Sequence, residues 1–161
     1  MTLRRYTRPR LIIMNSARFV NDAGQCHIVH YRICPETGAK HLSSEVVESR
    51  SSNFLFDDLT SRLAAGDIRF RLFGQIAETQ APVDDATRPW PGDRSLTELD
   101  TLVTTAELED SRVVERGLVL DPARLANGIE LPSDPLPIAR SAIYALAYRR
   151  RNTDALEVRC A

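Results

Sequence analysis

The stretch that most constrains this chain is Ile138 to Arg151, reading IARSAIYALAYRRR. It holds no glycine or proline, and as a helix it advances about 100° per residue. Arg140, Tyr144, Tyr148 and Arg151 are spaced by four, four and three, so they share one face. A phenol one turn after a guanidinium, with a second guanidinium further along, suits an anionic oxygen ligand for a hard metal. A tyrosine side chain ordinarily ionises near pH 10. A neighbouring arginine and a directly bound ferric ion both favour the phenolate. Tyrosine is one of the few side chains used as a proximal haem ligand. The plainer reading of the same residues is an amphipathic helix with arginine on its wet side.

The rest of the chain sets the class of fold. At 161 residues it fits one domain with one core, here expected over 1–161. Hydrophobic content of 43% and charged content of 27% are those of a soluble globular protein. A net charge of −1 predicts no broad attraction to nucleic acid or membrane. Lys40 is the single lysine, so nearly every basic contact must come from arginine. No apolar run approaches a membrane span. The opening MTLRRYTRPR leads into only the short LIIM, too brief for a secretory h-region, which makes a cytoplasmic location the expectation.

Cys26, Cys34 and Cys160 show no CxxC spacing. Cys26 and Cys34 fall in one apparent strand, where eight residues at about 3.4 Å each separate them by roughly 27 Å, beyond disulfide reach. A reducing compartment fits this pattern. His27, His30 and His41 lack zinc-ligand spacing and read as strand or surface residues.

Two strands joined by a turn are expected over 17–34. ARFV precedes Asn21-Asp22-Ala23-Gly24, and QCHIVHYRIC alternates and is rich in β-branched and aromatic residues. Pro35-Glu36-Thr37-Gly38 ends the second strand. Residues 43–53 read as loop. Asn53 or Asp57 can cap a helix running to about Ala65, closed by Gly66. IRFRLFGQI, Ile68 to Ile76, is the clearest strand, with Arg69 and Arg71 on one side. Residues 80–94 read as a loop pinned by Trp90, the only tryptophan. A short strand after Leu99 and an extended segment over 113–120 are expected before the final helix at 138–150. The class is therefore α+β, with the strands near 25–34 and 67–77 neighbouring one another.

Four blocks in the second half are similar to those of the haem catalases and catalase-related proteins, in the same order. FGQIAETQAPVDDATRPWPGD carries Asp85, Thr87, Arg88, Trp90 and Pro91 of the family's acidic-Thr-basic-Trp-Pro segment. VVERGLVLDPARLANGIE supplies Glu115, Pro122, Gly128 and Ile129, and LPSDPLPIAR supplies Ser133, Asp134 and Pro135. RSAIYALAYRRR places Arg140 and Tyr144 where the family has its proximal arginine and tyrosinate. SARFVNDAGQCHIVHYRICPETG looks like the hairpin that opens the second half of the family's barrel, so the likeness covers about Arg18 to Arg151.

The resemblance implies antiparallel strands like the second half of the catalase β-barrel, followed by a C-terminal proximal-haem helix. It implies haem iron as cofactor and hydrogen peroxide as substrate. Tyr144 would be the metal ligand and, with Arg140 stabilising its phenolate, the catalytic pair; Arg151 would bind a haem propionate, with Arg149 as its rival. Tyr148 is the rival to Tyr144, but Tyr144 itself occupies the position four residues before it and offers no charge. The sequence departs from the family after Tyr144, where Ala145-Leu146-Ala147 replaces a Pro-Asp-Thr-like step. The family's distal His and Asn lie in an N-terminal portion with no counterpart here, which implies a homo-oligomer or a complementary distal half as partner. Two further readings stay open: haem-dependent processing of an organic hydroperoxide, and a non-catalytic module that keeps the fold without haem. Because the half-barrel lacks partner strands, the chain is expected to dimerise, to aggregate or to expose a large apolar patch.

Overall fold

The computed structural model describes residues 11–12, 15–39, 42–79, 81–85 and 87–157, with backbone only at 11, 12 and 154–157. Lys40, His41, Gln80 and Cys160, together with the opening MTLRRYTRPR, lie outside the described residues. The elements in chain order are β1 (Leu11–Ile12), β2 (Ala17–Val20), β3 (Cys26–Pro35), α1 (Ser44–Glu48), α2 (Phe54–Ala65), β4 (Ile68–Ile76), β5 (Leu96–Thr104), α3 (Ser111–Gly117), β6 (Ile129–Glu130) and α4 (Leu136–Glu157). The α+β class holds, with β3, β4 and α4 at the expected places.

Residues group into two compact units: Met1–Ile13, His30–Ile76 and Pro91–Glu107 in the first, and Met14–Val29, Ala77–Trp90 and Leu108–Ala161 in the second. In the first unit β4 lies between β5 and β3. β4 pairs antiparallel with β5 from Ile68↔Thr104 to Gln75↔Leu96, with a bulge between Leu72 and Phe73. Glu36 donates its N–H to the Arg69 carbonyl at 3.0 Å, and β1 pairs with β3 at Leu11↔Ile33. Arg69 and Arg71 keep their heads in water and reach Glu36 and Glu98 at 3.8 and 3.4 Å, half-exposed pairs of small energetic weight.

The most buried side chain of the first unit is polar. Gln75, at 0% exposure, accepts two hydrogen bonds from the Arg32 guanidinium, at 3.1 and 2.7 Å, and donates from Nε2 to the Pro91 carbonyl at 2.7 Å. Both ends of the amide are thereby satisfied, as burial requires. His30 sits two residues before Arg32 on the same strand face and is also buried. Burial first, then the charges of Arg32 and Arg94, push its imidazole down to about 4. Sequence reading left His30 among strand or surface residues; its burial comes from the sheet.

In the second unit β2 pairs with the first part of β3, from Ala17↔Val29 to Val20↔Cys26, and with β6 at Arg18↔Glu130 and Phe19↔Ile129. The β2–β3 turn is closed by Asn21, whose side chain accepts the Gln25 N–H at 2.9 Å and whose carbonyl accepts that of Gly24. Gly24 takes φ 73°, which favours glycine there. Gly128 has φ 80°, and a Cβ on it would stand 3.1 Å from the Val20 carbonyl oxygen. Its own carbonyl accepts the Val20 N–H at 2.8 Å, so this glycine lets β6 approach β2. Trp90 is buried and donates its indole N–H to the Pro82 carbonyl at 2.7 Å, which is the expected pinning of the loop.

Four local expectations are corrected. Residues 43–53 contain α1, started by Ser43, whose carbonyl accepts the Val47 N–H at 3.1 Å and whose hydroxyl helps hold Glu45 below the usual carboxylate range. β5 begins at Leu96 rather than after Leu99, because β4 pairs along its whole length. The β-branched pair Val113-Val114 suggested extension, yet both N–H groups bond to the Asp110 carbonyl, at 2.9 and 3.1 Å, and open α3. α4 starts two residues earlier than expected: Asp134 accepts the Leu136 N–H at 2.8 Å, and Pro137 is tolerated in the first turn. No described helix is long and apolar enough to cross a membrane.

Gln75→Leu leaves the Arg32 guanidinium buried without its acceptor and is expected to lower stability by about 3 kcal/mol in urea unfolding. His30 gives a pH signature. The unfolded imidazole titrates near 6.5 and the folded one near 4, so the unfolded state binds more protons between these values. Stability should fall as pH drops from 6.5 toward 4 and show no further His30 contribution below that. Comparing wild type with His30→Gln across this window isolates the effect; equal slopes would show that His30 does not titrate this way.

Candidate functional site

Helix geometry alone brings Arg140 to Tyr144. The guanidinium donates twice to the phenol oxygen, from Nε at 3.2 Å and from NH2 at 2.5 Å, and its Cζ stands 5.4 Å from the ring centroid. Both bonds run toward the same oxygen, so an electron-rich atom is held by a delocalised cation. Tyr144 and Arg140 are each half-buried.

Behind Arg140 stand two residues that no spacing or motif connects with it. NH1 donates to Asn15 Oδ1 at 3.4 Å, and Asn15 Nδ2 donates to Asp134 Oδ2 at 3.2 Å. The other carboxylate oxygen of Asp134 is the one that accepts the Leu136 N–H at the start of α4. One buried carboxylate therefore both starts the helix and, through Asn15, orients the arginine that faces the phenol. Asp134 was legible as a turn residue before α4. Asn15 was not, because it precedes Arg140 by 125 positions and lies in no recognisable motif.

Tyr144 also forms part of the wall of a cavity of about 380 Å³. Leu118, Val119, Leu120 and Ala147 make the wall apolar, and Glu115 and Arg151 add charge. Tyr148 is not among the lining residues, which separates the two phenols that share the helix face. Arg151 donates from NH2 to the Leu118 carbonyl at 3.0 Å. The segment between α3 and Asp121 is fastened at its far end as well. Ser141 donates its hydroxyl to Asp121, whose same oxygen accepts the Ala123 N–H at 2.9 Å. These bonds, the Ser141 one first, hold the Asp121 carboxyl below its usual range. Leu118, Val119 and Leu120 nevertheless remain 45%, 41% and 77% exposed, an apolar strip that water covers poorly.

The lining combines an aliphatic wall with a phenol oxygen and one basic side chain, a set able to hold an apolar ligand with an anionic edge. Among the described residues no group of three or more His, Cys, Asp or Glu stands together to hold a bare metal ion. Arg140, Tyr144 and Arg151 all lie in the second unit, and Tyr144 and Arg151 share the cavity.

No protein-family model matches the chain. It is 28% identical over 138 residues to a catalase-related peroxidase of Synechococcus elongatus, covering 86% of this chain and 41% of that protein. To the catalase-related peroxidase of Mycolicibacterium paratuberculosis it is 27% identical over 141 residues, covering 86% of this chain and 44% of the relative. The chain thus spans less than half the length of these curated relatives. Among solved structures, catalase A from Saccharomyces cerevisiae superposes with a TM-score of 0.79 over 91% of this chain and 32% of that one, at 23% identity. Antiparallel strands followed by the long C-terminal helix are thus the fold this chain shares with catalase A, and in sequence it is similar to catalase-related peroxidases over most of its length.

Proposed function

We propose that this chain carries the proximal side of a haem site that acts on peroxides. The observation that supports it is the Tyr144 oxygen, held by two Arg140 N–H groups on the wall of an exposed apolar cavity with Arg151 in the same lining. Tyr144 is the iron ligand in this reading. Arg140 stabilises negative charge on its oxygen. Asn15 and Asp134 fix Arg140, in the way outer residues commonly orient a metal ligand. Arg151 would hold a propionate, and the 118–120 strip with Ala147 would offer the ring an apolar wall. Bound haem would supply the iron chemistry that breaks the peroxide bond.

Turnover also needs a group on the open side of the iron to move a proton between the peroxide oxygens. Tyr144 and Arg140 act from the closed side and do not supply it. In this reading the group comes from a complementary distal portion or a second copy, and the same site would serve hydrogen peroxide or an organic hydroperoxide. A reducing, cytoplasmic setting fits Cys26 and Cys34, both free thiols.

Reconstitution with hemin tests the ligand. The wild type is expected to give a high-spin ferric tyrosinate spectrum, and Tyr144→Phe to lose it while circular dichroism stays unchanged. Identical spectra from the two proteins would overturn the assignment. Arg140→Leu should weaken hemin affinity by roughly 10- to 100-fold and make the iron easier to reduce, because a less stabilised phenolate leaves ferric iron more readily. Asn15→Ala should produce a smaller loss in the same direction, read from the same titration. Failure of the wild type to take up hemin, even with a complementary distal half present, would favour the non-catalytic module.

A further inference from the structure

We propose that Asn152 is a positioning residue for this cavity, holding the end of α3 in place when Arg151 turns from the Leu118 carbonyl to an anionic group on a bound ligand. The inference rests on the haem reading above. A helix leaves its last carbonyls without partners of its own. Consecutive residues of α4 meet one of these carbonyls and one just past the helix: Asn152 Nδ2 donates to the Arg116 carbonyl at 3.3 Å, and Arg151 to the Leu118 carbonyl at 3.0 Å. Asn152 Nδ2 also donates to the Tyr148 carbonyl at 2.9 Å, so its two hydrogens join α3 to its own helix.

The two donors differ in charge, and that divides their work. Arg151 is a cation and lines the cavity, so a ligand carboxylate competes with Leu118 for it. Asn152 is neutral and is not in the lining, so an anion gives it no reason to move. The cavity wall 118–120 hangs between the end of α3 and Asp121, which Ser141 holds. Once Arg151 leaves the Leu118 carbonyl, Asn152 becomes the side-chain tie at the α3 end. Removing it should then make ligand binding costlier, because binding would release the wall.

A double-mutant cycle on the full 161-residue chain reads this out. Hemin affinity is titrated for wild type, Arg151→Ala, Asn152→Ala and the double variant, with amide exchange at 117–120 followed in the hemin-bound proteins. Asn152→Ala should weaken hemin about fivefold to tenfold when Arg151 is present, the scale of one hydrogen bond, and by less than about twofold in the Arg151→Ala background. Exchange at 117–120 should be faster in hemin-bound Asn152→Ala than in hemin-bound wild type. Asn152→Asp, of the same shape but without the amide donor, should repeat the loss and guards against a folding defect in the alanine variant. Equal losses in both backgrounds, or none, overturn the proposal while Tyr144-dependent uptake leaves the haem reading standing. If wild type takes up no hemin, or Tyr144→Phe takes it up unchanged, the haem reading fails and the proposal falls with it.

Discussion

Two guanidinium hydrogens on one phenol oxygen are the interaction from which the candidate site is built. The pair is local, one helical turn apart, and the helix would form it in many contexts. What makes it more than a surface pair is the support behind it. Arg140 is tied through Asn15 to Asp134, and Asp134 also accepts the first N–H of α4. Helix start and arginine orientation therefore share one carboxylate, and disturbing either disturbs the phenol. This is economical for a chain whose described residues bury few apolar side chains, Ala17, Val29 and Trp90.

The first unit has a different centre, and it is also polar. Arg32 and Gln75 sit on adjacent strands; Arg32 donates two hydrogen bonds to the Gln75 amide oxygen, and Gln75 donates a third to the Pro91 carbonyl. Partners at both ends of the Gln75 amide are what permit its burial, since an unmet group would cost about as much as several good contacts gain. His30 lies in the same region and is kept neutral by burial and by the nearby arginines. Outside this cluster the sheet is lightly covered. All of β5 is exposed, including Leu96, Leu99, Leu102 and Val103 at 40–42%. A strand of that kind carries apolar side chains without being buried by the described residues, which is a common property of surfaces that meet another partner.

The cavity wall shows how few bonds hold a binding surface in place. Residues 118–120 belong to no regular element, so their backbone cannot be organised by a helix or sheet ladder. Their position comes from side chains of α4 at both ends: Arg151 and Asn152 near α3, and Ser141 on Asp121. Tyr144 and Ala147, on the turns between those attachments, then face the apolar strip. A single long helix thereby supplies the phenol oxygen, the basic group and the fastenings of the opposite wall.

Local periodicity determined most of what was legible in the sequence. The 2-residue alternation of 26–35 and 68–76 and the turn chemistry at 21–24 and 35–38 specified strands and turns, because side-chain direction in a strand depends only on parity. Spacings of four, four and three put Arg140, Tyr144, Tyr148 and Arg151 on one helix face, and the Arg140–Tyr144 bond follows from that spacing. Three things were decided only by tertiary structure. Val113 and Val114 became helical because α3 packs on α4 and their N–H groups found the Asp110 carbonyl, a context that outweighs a modest β preference. Tyr144 rather than Tyr148 reached the cavity because the 118–120 strip lies against that part of the helix, a contact between segments some 25 residues apart. Asn15 joined Arg140 across 125 residues of chain through hydrogen bonds that no local pattern encodes, because a single amide carries no periodicity to read.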